Sequence, residues 1–294
     1  MMAHANIEAG QNVRVFLQLS STYRFLNSNP LTAEIDQNEL SLHQAFIDHR
    51  LNKKWIAIIR RQEMSCGSHR LITFREGPNT RLTFDAAILK YDSENRKVDV
   101  FAISPVISQH DVFDNQAFKD LALGVYSNER LTKKLSVDYY VLHFHSKRRQ
   151  YNFGAGTENR GIIGFRFFSG NPKTNYEVEA TYQFGKFNHL LINAYGVSAD
   201  LNQKLMPARN FIIGVAGNYL SGDKSKSDHQ LNTYNLLYSK PQYGLVAPIG
   251  ATNMVKVNPY FKLNPTRKAN IYLAQISCGD EVVRTERTAL ALFD

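Results

Sequence analysis

Cysteine is scarce in this sequence, and so are the motifs of catalysis. Cys66 and Cys278 are the only two thiols, too few for a disulfide framework and too far apart to form a metal-binding pair. His143 and His145 share one strand face, but no third metal ligand is fixed by spacing. No Gly-x-Ser-x-Gly elbow, His-Glu-x-x-His motif or phosphate-cradling glycine loop is present. We therefore predict no enzyme activity, no metal and no cofactor.

Long apolar runs are also missing. The mean hydropathy is -0.35, and no uninterrupted apolar run approaches the roughly 18 residues of a membrane-spanning helix. A transmembrane β-barrel stays open, because its strands alternate apolar and polar side chains. The N-terminal segment "MMAHANIEAGQNVRVFLQL" has no basic stretch followed by an apolar core, so no signal peptide is visible. That counts against export unless the gene start lies elsewhere or the chain is a fragment.

Acidic residues are fewer than basic ones. With 35 Lys and Arg against 26 Asp and Glu, the chain carries a formal net charge of +9. This balance favours anionic partners such as nucleic acid, lipid A phosphates or acidic polysaccharide. Because the basic residues are scattered over many segments and form no stripe interleaved with exposed aromatics, we predict no nucleic-acid binding.

Period-2 alternation in short blocks is what the sequence has in abundance. Aromatic residues make up 12% of the chain, which favours strands. In 81–91, Leu82 and Phe84 share one face, and Arg81 and Asp85 share the other. Polar turns separate the blocks, as in a meander. Thirteen strands are predicted, at 13–26, 39–50, 53–63, 81–91, 97–104, 119–128, 134–145, 160–170, 175–186, 187–200, 208–221, 254–263 and 268–277.

The connections between blocks alternate in length. Short polar turns followed by longer charged ones suit an up-and-down barrel with tight turns at one rim and long loops at the other. The longest segment without alternation is 223–253. A loop of that length is usually functional or disordered, and in a porin it could fold into the pore or cover a rim.

Alternation alone does not separate a soluble β-sandwich from a membrane barrel. Blocks of about ten residues or more are close to the roughly 9 to 11 of a tilted membrane strand, whereas sandwich strands average nearer five or six. Opposite charges on the polar faces suit a wet lumen. Several apolar faces end in an aromatic residue, as membrane girdles do: Tyr91, Tyr126, Phe144, Phe168, Phe184 and Tyr219. We predict an all-β, antiparallel up-and-down transmembrane β-barrel of porin type, with a soluble or periplasmic carbohydrate-binding sandwich as the alternative.

The segment 55–63 runs from apolar residues straight into charges. Parity places Arg61 and Glu63 on one face and Arg60 and Gln62 on the other. In a barrel, Arg61 and Glu63 would then point into the lumen, while Arg60 could snorkel at the membrane interface with its guanidinium in water. A solvated edge strand of a soluble sheet is the alternative for this segment.

Three short motifs follow one another between residues 60 and 91. They are Arg61-Gln62-Glu63, Gly67 followed by Arg70-Leu71, and Arg81 followed by Phe84-Asp85. On these motifs the chain resembles the alginate export family of outer-membrane proteins. The stretch 39–48 looks like the family's upstream strand, and 236–268 looks like its late stretch with an aromatic, a Gly and an Asn before a strand. The middle of the chain matches by pattern.

The chain also departs from the family pattern. Arg60 stands where the family usually has Gly, and Cys66 where it usually has a bulky residue. The chain ends in "TALALFD" instead of a terminal aromatic strand. We expect one domain over residues 1–294, with an N-terminal strand and loop at about 12–38 and an irregular tail at 278–294. One interpretation is an incomplete or frame-shifted copy that lacks closing strands, whose sheet edges would be unpaired in lipid.

The resemblance implies a porin or exporter of the cell outer membrane, in contact with the lipid bilayer, barrel-assembly machinery and periplasmic export components. It would pass anionic, alginate-like polysaccharide or small anions by passive diffusion through a lumen rich in Arg and Lys. Parity gives the candidate pore-lining residues Arg61, Glu63, Arg81, Asp85, Arg166, Glu177, Glu179, Lys256 and Lys262. Two arginines in a connection, Arg70 and Arg75, are loop candidates. For the cluster around Arg61, an ion-pair network that only stiffens the wall is an equal alternative.

Overall fold

The computed structural model describes residues 1–22, 38–75, 80–107, 115–116, 119–171, 173–223, 228–239, 253–266, 269–280 and 287–290. One 3-10 turn, Pro207–Arg209, interrupts a chain of strands. The strands are β1 Met2–Ala9, β2 Val13–Thr22, β3 Asn38–Arg50, β4 Trp55–Gln62, β5 Phe84–Asp92, β6 Arg96–Ile107, β7 Asn115–Gln116, β8 Asp120–Thr132, β9 Leu135–Tyr151, β10 Gly154–Ser169, β11 Thr174–Phe187, β12 Leu190–Met206, β13 Phe211–Leu220, β14 Gln230–Leu231, β15 Met254–Thr266, β16 Ala269–Asp280 and β17 Arg287–Leu290.

Fifteen of these strands form one antiparallel up-and-down sheet. Each pairs with its neighbour in sequence, apart from β7 and β14, which have two residues each and attach to β6 and β12. In the described ranges, the registers leave β1 and β17 as edges, and the sheet is not closed between them. Each of the thirteen predicted blocks overlaps a strand, and the predicted all-β meander is confirmed; residues 23–26 and 268 of the predicted blocks lie outside the described ranges.

Two of the fifteen strands of this sheet were not predicted, nor were the two-residue strands β7 and β14. β1 pairs with β2 over eight residues, although both of its faces are exposed. β17 and the last residues of β16 lie within 278–294, where we expected an irregular tail. β1 is held to β2 by its backbone register and by a stacked contact between the rings of His4 and Phe16.

The connections differ between the two ends of the sheet. At the end where β1 leads into β2, the turns have two to four residues. The opposite end carries the connections 63–83 and 221–253. We call these the short-turn end and the long-loop end. The expected alternation of connections is found in part, because the two-residue turns 152–153 and 188–189 also lie at the long-loop end. In membrane barrels the short turns face the periplasm.

One face of the sheet exposes an apolar belt. In a register row that crosses four strands, Ile59 is opposite Ala87, and Ala102 is opposite Leu123. Large apolar side chains of this face are 39% to 62% exposed, which would be costly in water and is normal in lipid. They include Leu17, Ile47, Ile59, Val100, Leu123, Val125, Val141, Ile163, Phe165, Phe167, Tyr182, Phe184, Tyr195, Val197, Ile213, Val215, Val255 and Val257.

The other face is concave and enclosed. Phe84 of β5 and Phe144 of β9 both contact the ring of Tyr238, at centroid distances of 5.3 and 6.2 Å, although two strands, β6 and β8, separate β5 from β9 in the sheet. Residues that are completely buried on this face include Ile103 and Ile162. The sheet therefore curves around a filled interior, as a barrel wall does.

Aromatic residues did not all take the predicted face. Tyr91 pairs with Trp55 on the outer face, at a ring distance of 5.0 Å. Phe144 and Tyr126 instead lie on the enclosed face, as does Phe168, whose ring contacts the guanidinium of Arg166. An aromatic at a strand end therefore marks a membrane girdle only when its face is known.

Arg60 has a backbone conformation that suits glycine. Its φ is 90°, a region that costs a non-glycine residue about 1 to 3 kcal/mol. We expect Arg60→Gly to have a free energy of unfolding about 1 kcal/mol higher than Arg60→Ala. Both variants lose the same guanidinium, so the difference isolates the backbone. Urea unfolding followed by gel migration would measure it, and equal midpoints would mean that residue 60 is unstrained.

Candidate functional site

Two loops from the long-loop end enter the enclosed face. The first covers 63–75 and the second 228–239, and we call them the inner loops. Tyr238 N donates to Leu71 O at 2.9 Å, and Thr73 N donates to Tyr238 O at 3.2 Å. Ile72 and Tyr238 form a parallel bridge. The sequence left two placements open for the long segment 223–253, inside the pore or over a rim, and residues 228–239 lie in the interior. Residues 224–227 and 240–252 lie outside the described ranges.

The inner loops fill part of the interior with apolar side chains. Ile72 is completely buried, and Leu71, Leu237 and Tyr238 are nearly so. They pack with Phe84 and other wall residues in one cluster. The inner loops therefore occupy part of the space that the curved sheet encloses.

Charged side chains below the apolar cluster form a continuous network, which we call the lower network. Arg166 Nη1 donates to Asp138 Oδ2 at 2.8 Å, and its Nη2 donates to Glu177 Oε2 at 3.0 Å. Arg70, from the first inner loop, donates to Glu177 Oε1 at 2.7 Å and to Glu179 Oε2 at 2.9 Å. The network thus ties an inner loop to the wall.

Hydroxyl groups complete the lower network. Ser68 Oγ donates to Glu179, and Tyr140 OH donates to the other oxygen of the same carboxylate at 2.9 Å. Burial disfavours the charged form of Arg70, yet the charges of Glu179 and Glu177 raise its pKa above the ordinary value. Arg70 therefore stays protonated at any pH at which the protein is folded.

A second network, the upper network, lies nearer the long-loop end. Arg160 and Glu158 are completely buried and paired through Nε and Oε1. Arg160 Nη1 also donates to Gln183 Oε1 at 2.8 Å, and its Nη2 donates to Tyr151 OH at 3.1 Å. Asn235 of the second inner loop donates to Glu158 Oε1 at 3.1 Å. A buried ion pair therefore fixes this loop to the wall.

Basic side chains collect at the mouth above the upper network. A cavity of about 610 Å³ is lined there by Arg148, Arg149 and Asn235, among others. Arg75 donates to Ser239 O at 3.2 Å. Burial, together with the like charge of Arg149, lowers the pKa of the Arg75 guanidinium. Two cations held close together make this mouth attractive to an anion.

Below the first inner loop lies a smaller cavity of about 340 Å³ that faces the short-turn end. Its wall carries both positively and negatively charged side chains. Lys90 lies 3.6 Å from Asp99, and Lys97 lies 3.4 Å from Asp92. Charges in this cavity are therefore balanced, in contrast to the mouth.

A third cluster lies at the rim of the long-loop end. Glu63 Oε1 is 2.8 Å from His43 Nε2 and 3.4 Å from Arg81 Nη1. Burial alone would raise the pKa of Glu63, but the hydrogen bond to His43 and the charges of His43 and Arg81 lower it overall. Glu63 and Arg81, both candidates from the sequence, are thus brought together.

Arg61 and Asp85 are not in the interior, where parity had placed them. They form a bidentate ion pair, in which Arg61 Nε donates to Asp85 Oδ1 and Arg61 Nη2 donates to Asp85 Oδ2, each at 3.2 Å. Their register row includes Ala45 and lies on the outer face, one pleat from the row of Ile59 and Ala87. The reason is that Phe84 of β5 turns inward to meet the inner loops, so its neighbour Asp85 turns outward.

The remaining candidates lie on the enclosed face. Arg166, Glu177 and Glu179 meet in the lower network, and Arg70 joins them from the loop. Lys256 is buried, and Lys262 lies 5.5 Å from the ring centre of Tyr260 and 5.4 Å from that of Tyr272. Within the described ranges, the contacts of Lys262 are with these two rings and with neither network.

Several residues of the site were not identified from the sequence. Glu158 and Arg160 precede or begin the predicted strand at 160–170, and the alternation of "ENR" was the only available signal. Ser68, Arg149 and Asn235 lie in loops or at a strand end, where no periodicity applies. Their importance depends on contacts across more than 70 residues, which sequence spacing cannot reveal.

An antiparallel meander with an exposed apolar face and an enclosed charged face defines the class of porin-like transmembrane β-barrels. Within that class, a family model described as alginate export matches residues 1–276. The chain belongs to the alginate export family. Among the described residues, no helix has the length and apolar composition to cross a membrane.

Three solved structures share the fold. Pseudomonas aeruginosa OccK11 (OpdR) has a TM-score of 0.55 at 10% identity over 97% of this chain and 78% of that one. The high-pH structure of Pseudomonas putida OprB has a TM-score of 0.53 at 10% identity, over 95% of this chain and 81% of that one. The outer membrane channel DcaP of Acinetobacter baumannii has a TM-score of 0.51 at 11% identity, over 98% of this chain and 80% of that one. At such identities the likeness concerns the fold alone. No curated protein matches the chain.

Proposed function

We propose that this protein is an outer-membrane pore that passes anionic solutes by passive diffusion, either acidic, alginate-like polysaccharide or small anions. Membership of the alginate export family supports a porin or exporter role. The observation that carries the proposal is the arrangement of one sheet with lipid-type side chains outside and ionised side chains inside. Barrel-assembly machinery and periplasmic export components are its expected partners.

The preference for anions rests on which charges remain uncompensated. The upper network contains the balanced pair of Arg160 and Glu158, and the lower network has three carboxylates for the two arginines Arg70 and Arg166. Neither network therefore supplies a positive field, and the preference for anions depends on the mouth. At the mouth, Arg75 and Arg149 lie close together, and Arg148 lines the same cavity as Arg149. Two carboxylates lie there as well, Glu158 at 3.9 Å from Arg149 and Asp223 in the cavity wall, and they do not balance these three arginines together with Arg160. An acidic sugar chain would be concentrated there electrostatically, while hydrated contacts let it leave again.

The alternative of a soluble carbohydrate-binding β-sandwich has less support. A sandwich needs two sheets that cover each other's apolar faces. Within the described ranges the long strands belong to one meander, and its apolar face has no second sheet upon it.

Charge reversal at the mouth tests the proposal. In a planar bilayer with a salt gradient, the reversal potential of the parent should indicate a preference for anions. Arg75→Glu should lower the anion-to-cation permeability ratio by roughly two- to fivefold, because it replaces two neighbouring cations by an ion pair.

Lys133→Glu is the matched control for this experiment. Lys133 is exposed in a turn at the short-turn end, so its reversal should change selectivity little. A parent that conducts no ions, or that prefers cations, would contradict the proposed function.

A further inference from the structure

Two neighbouring strands, β2 and β3, carry matched side chains on the enclosed face. Leu17 of β2 and Ile47 of β3 belong to the apolar belt, so the residues that alternate with them point to the other face. These residues form three cross-strand pairs, which we call the inner platform: Arg14 with Asp48, Phe16 with Phe46, and Gln18 with Gln44.

Each pair of the inner platform is joined through its side chains. Arg14 Nε donates to Asp48 Oδ2 at 2.5 Å, and Gln44 Nε2 donates to Gln18 Oε1 at 2.8 Å. Between them, the two phenylalanine rings are stacked at a centroid distance of 5.2 Å and an interplanar angle of 27°. An aromatic pair is thus bordered by an ion pair towards the short-turn end and by an amide pair towards the long-loop end.

The aromatic row continues onto a third strand. The ring of His4 on β1 stacks on Phe16 at 5.8 Å, with an interplanar angle of 23°. At the other end of the row, the guanidinium of Arg14 lies 5.4 Å from the ring centre of Phe46. Because the strands of a barrel are tilted, a row that crosses three of them also climbs the wall along the barrel axis.

The inner loops leave the inner platform uncovered. Among the described residues, the buried apolar cluster that includes the inner loops takes its members from Ile58 onward, and none from β1, β2 or β3. Phe16 and Phe46 are half-buried, His4 is exposed, and the side chain of Arg14 is 42% exposed. A solute inside the curved sheet can therefore contact this part of the wall.

The chemistry of the inner platform matches that of a sugar. A sugar ring has apolar C–H patches, and its hydroxyl groups both donate and accept hydrogen bonds. The aromatic row offers apolar surface, and the paired amides still have donors and acceptors left. Arg14 adds donors and Asp48 adds acceptors, while their charges cancel. Ligand sites combine aromatic surface with a few placed polar groups in this way.

We propose that the inner platform binds the rings of a saccharide chain through their C–H patches and hydroxyl groups, whether or not the sugar carries a charge. This deepens the proposed pore function, on which it rests for its role in transport. The mouth would attract an acidic chain by charge, and the inner platform would hold neutral and acidic sugar rings alike.

Block of the ion current by a neutral trisaccharide, cellotriose, measures this binding. In a planar bilayer, cellotriose should lower the conductance of the parent saturably. Polyethylene glycol of equal mass should lower it only as far as it lowers the conductivity of the solution. Phe46→Ala should raise the half-blocking concentration of cellotriose by about fivefold, whereas Phe46→Tyr keeps the ring and should stay within about twofold of the parent.

Two more variants complete the experiment. Phe165→Ala removes a ring from the outer face, where Phe165 is 47% exposed, and should be blocked like the parent. Gln18→Leu removes one amide, leaves the aromatic row intact and should raise the half-blocking concentration by about threefold. It keeps the proposal testable if Phe46→Ala fails to fold, which heat-modifiable gel migration would show.

Calorimetric titration of cellotriose into the full chain in detergent separates this proposal from the pore function, because it needs no conduction. Heat of binding that Phe46→Ala loses would support the inner platform even for a parent that conducts no ions, a result that contradicts the pore alone.

Three outcomes would overturn the sugar site. One is a parent that gives no heat with cellotriose and is blocked by it no more than by polyethylene glycol, so that the cross-strand pairs only stabilise the sheet. Another is unchanged block in both Phe46→Ala and Gln18→Leu. The third is block by glucuronate without block by cellotriose, which would mean that charge alone is recognised.

Discussion

Arg160→Met is expected to lower the free energy of unfolding by about 3 to 5 kcal/mol. Arg160 and Glu158 are completely buried, and the guanidinium also contacts Gln183 and Tyr151. Removing Arg160 leaves the Glu158 carboxylate without its counter-ion in a site that water does not reach. Urea unfolding in liposomes, followed through the single Trp55 at the outer surface, would measure the loss.

Two further variants separate burial from charge in this experiment. Arg160→Met combined with Glu158→Gln removes both charges and should recover most of the stability, because no unpaired ion remains. Arg96→Met breaks the exposed pair with Glu129 and should have a much smaller effect, because solvent screens an exposed ion pair. If Arg160→Met and Arg96→Met had equal effects, the upper network would contribute no more to stability than a surface ion pair.

The sequence predicted the faces of β10 and β11 because both strands alternate cleanly. Phe165 and Phe184 are exposed to the lipid side, and Arg166 and Glu179 face inward. On these two strands one face contacts lipid and the other contacts ionised groups, so the apolar side chains are the ones that face outward. Period 2 and barrel geometry are sufficient when the interior is polar.

The same reasoning failed on β5 for a physical reason. Phe84, Ala86 and Ile88 are apolar and face inward, because the inner loops bring an apolar cluster against this part of the wall. Both faces of β5 are therefore apolar near the middle, and parity cannot tell which one meets lipid. Asp85 was assigned to the lumen only because Phe84 was assigned to the lipid.

The inner loops themselves could be predicted only in outline. Length and lack of alternation marked 223–253 as a loop that could enter a pore, but not the residues that hold it. Asn235 binds Glu158, and Ser68 and Arg70 bind Glu179, across separations of 77 to 111 residues. Such contacts depend on the closed curvature of the sheet, and no local propensity encodes them.

Conductance is expected to rise about threefold or more when residues 65–75 are replaced by a glycine and serine segment of equal length. The replacement removes Ile72, which is completely buried in the apolar cluster, and Arg70, which ties the loop to Glu177 and Glu179. Equal length keeps the connection between β4 and β5 able to close. Single-channel recording at high salt would measure the width of the path with surface charge screened.

The same replacement in the turn 51–54 at the short-turn end is the matched control, because no described side chain of that turn enters the enclosed face. Its conductance should equal that of the parent. If the inner-loop variant also conducted like the parent while its Trp55 emission and gel migration stayed native, ions would not pass beside the first inner loop. The second inner loop, fixed by Arg160 and Glu158, would then be the element that sets the width of the path.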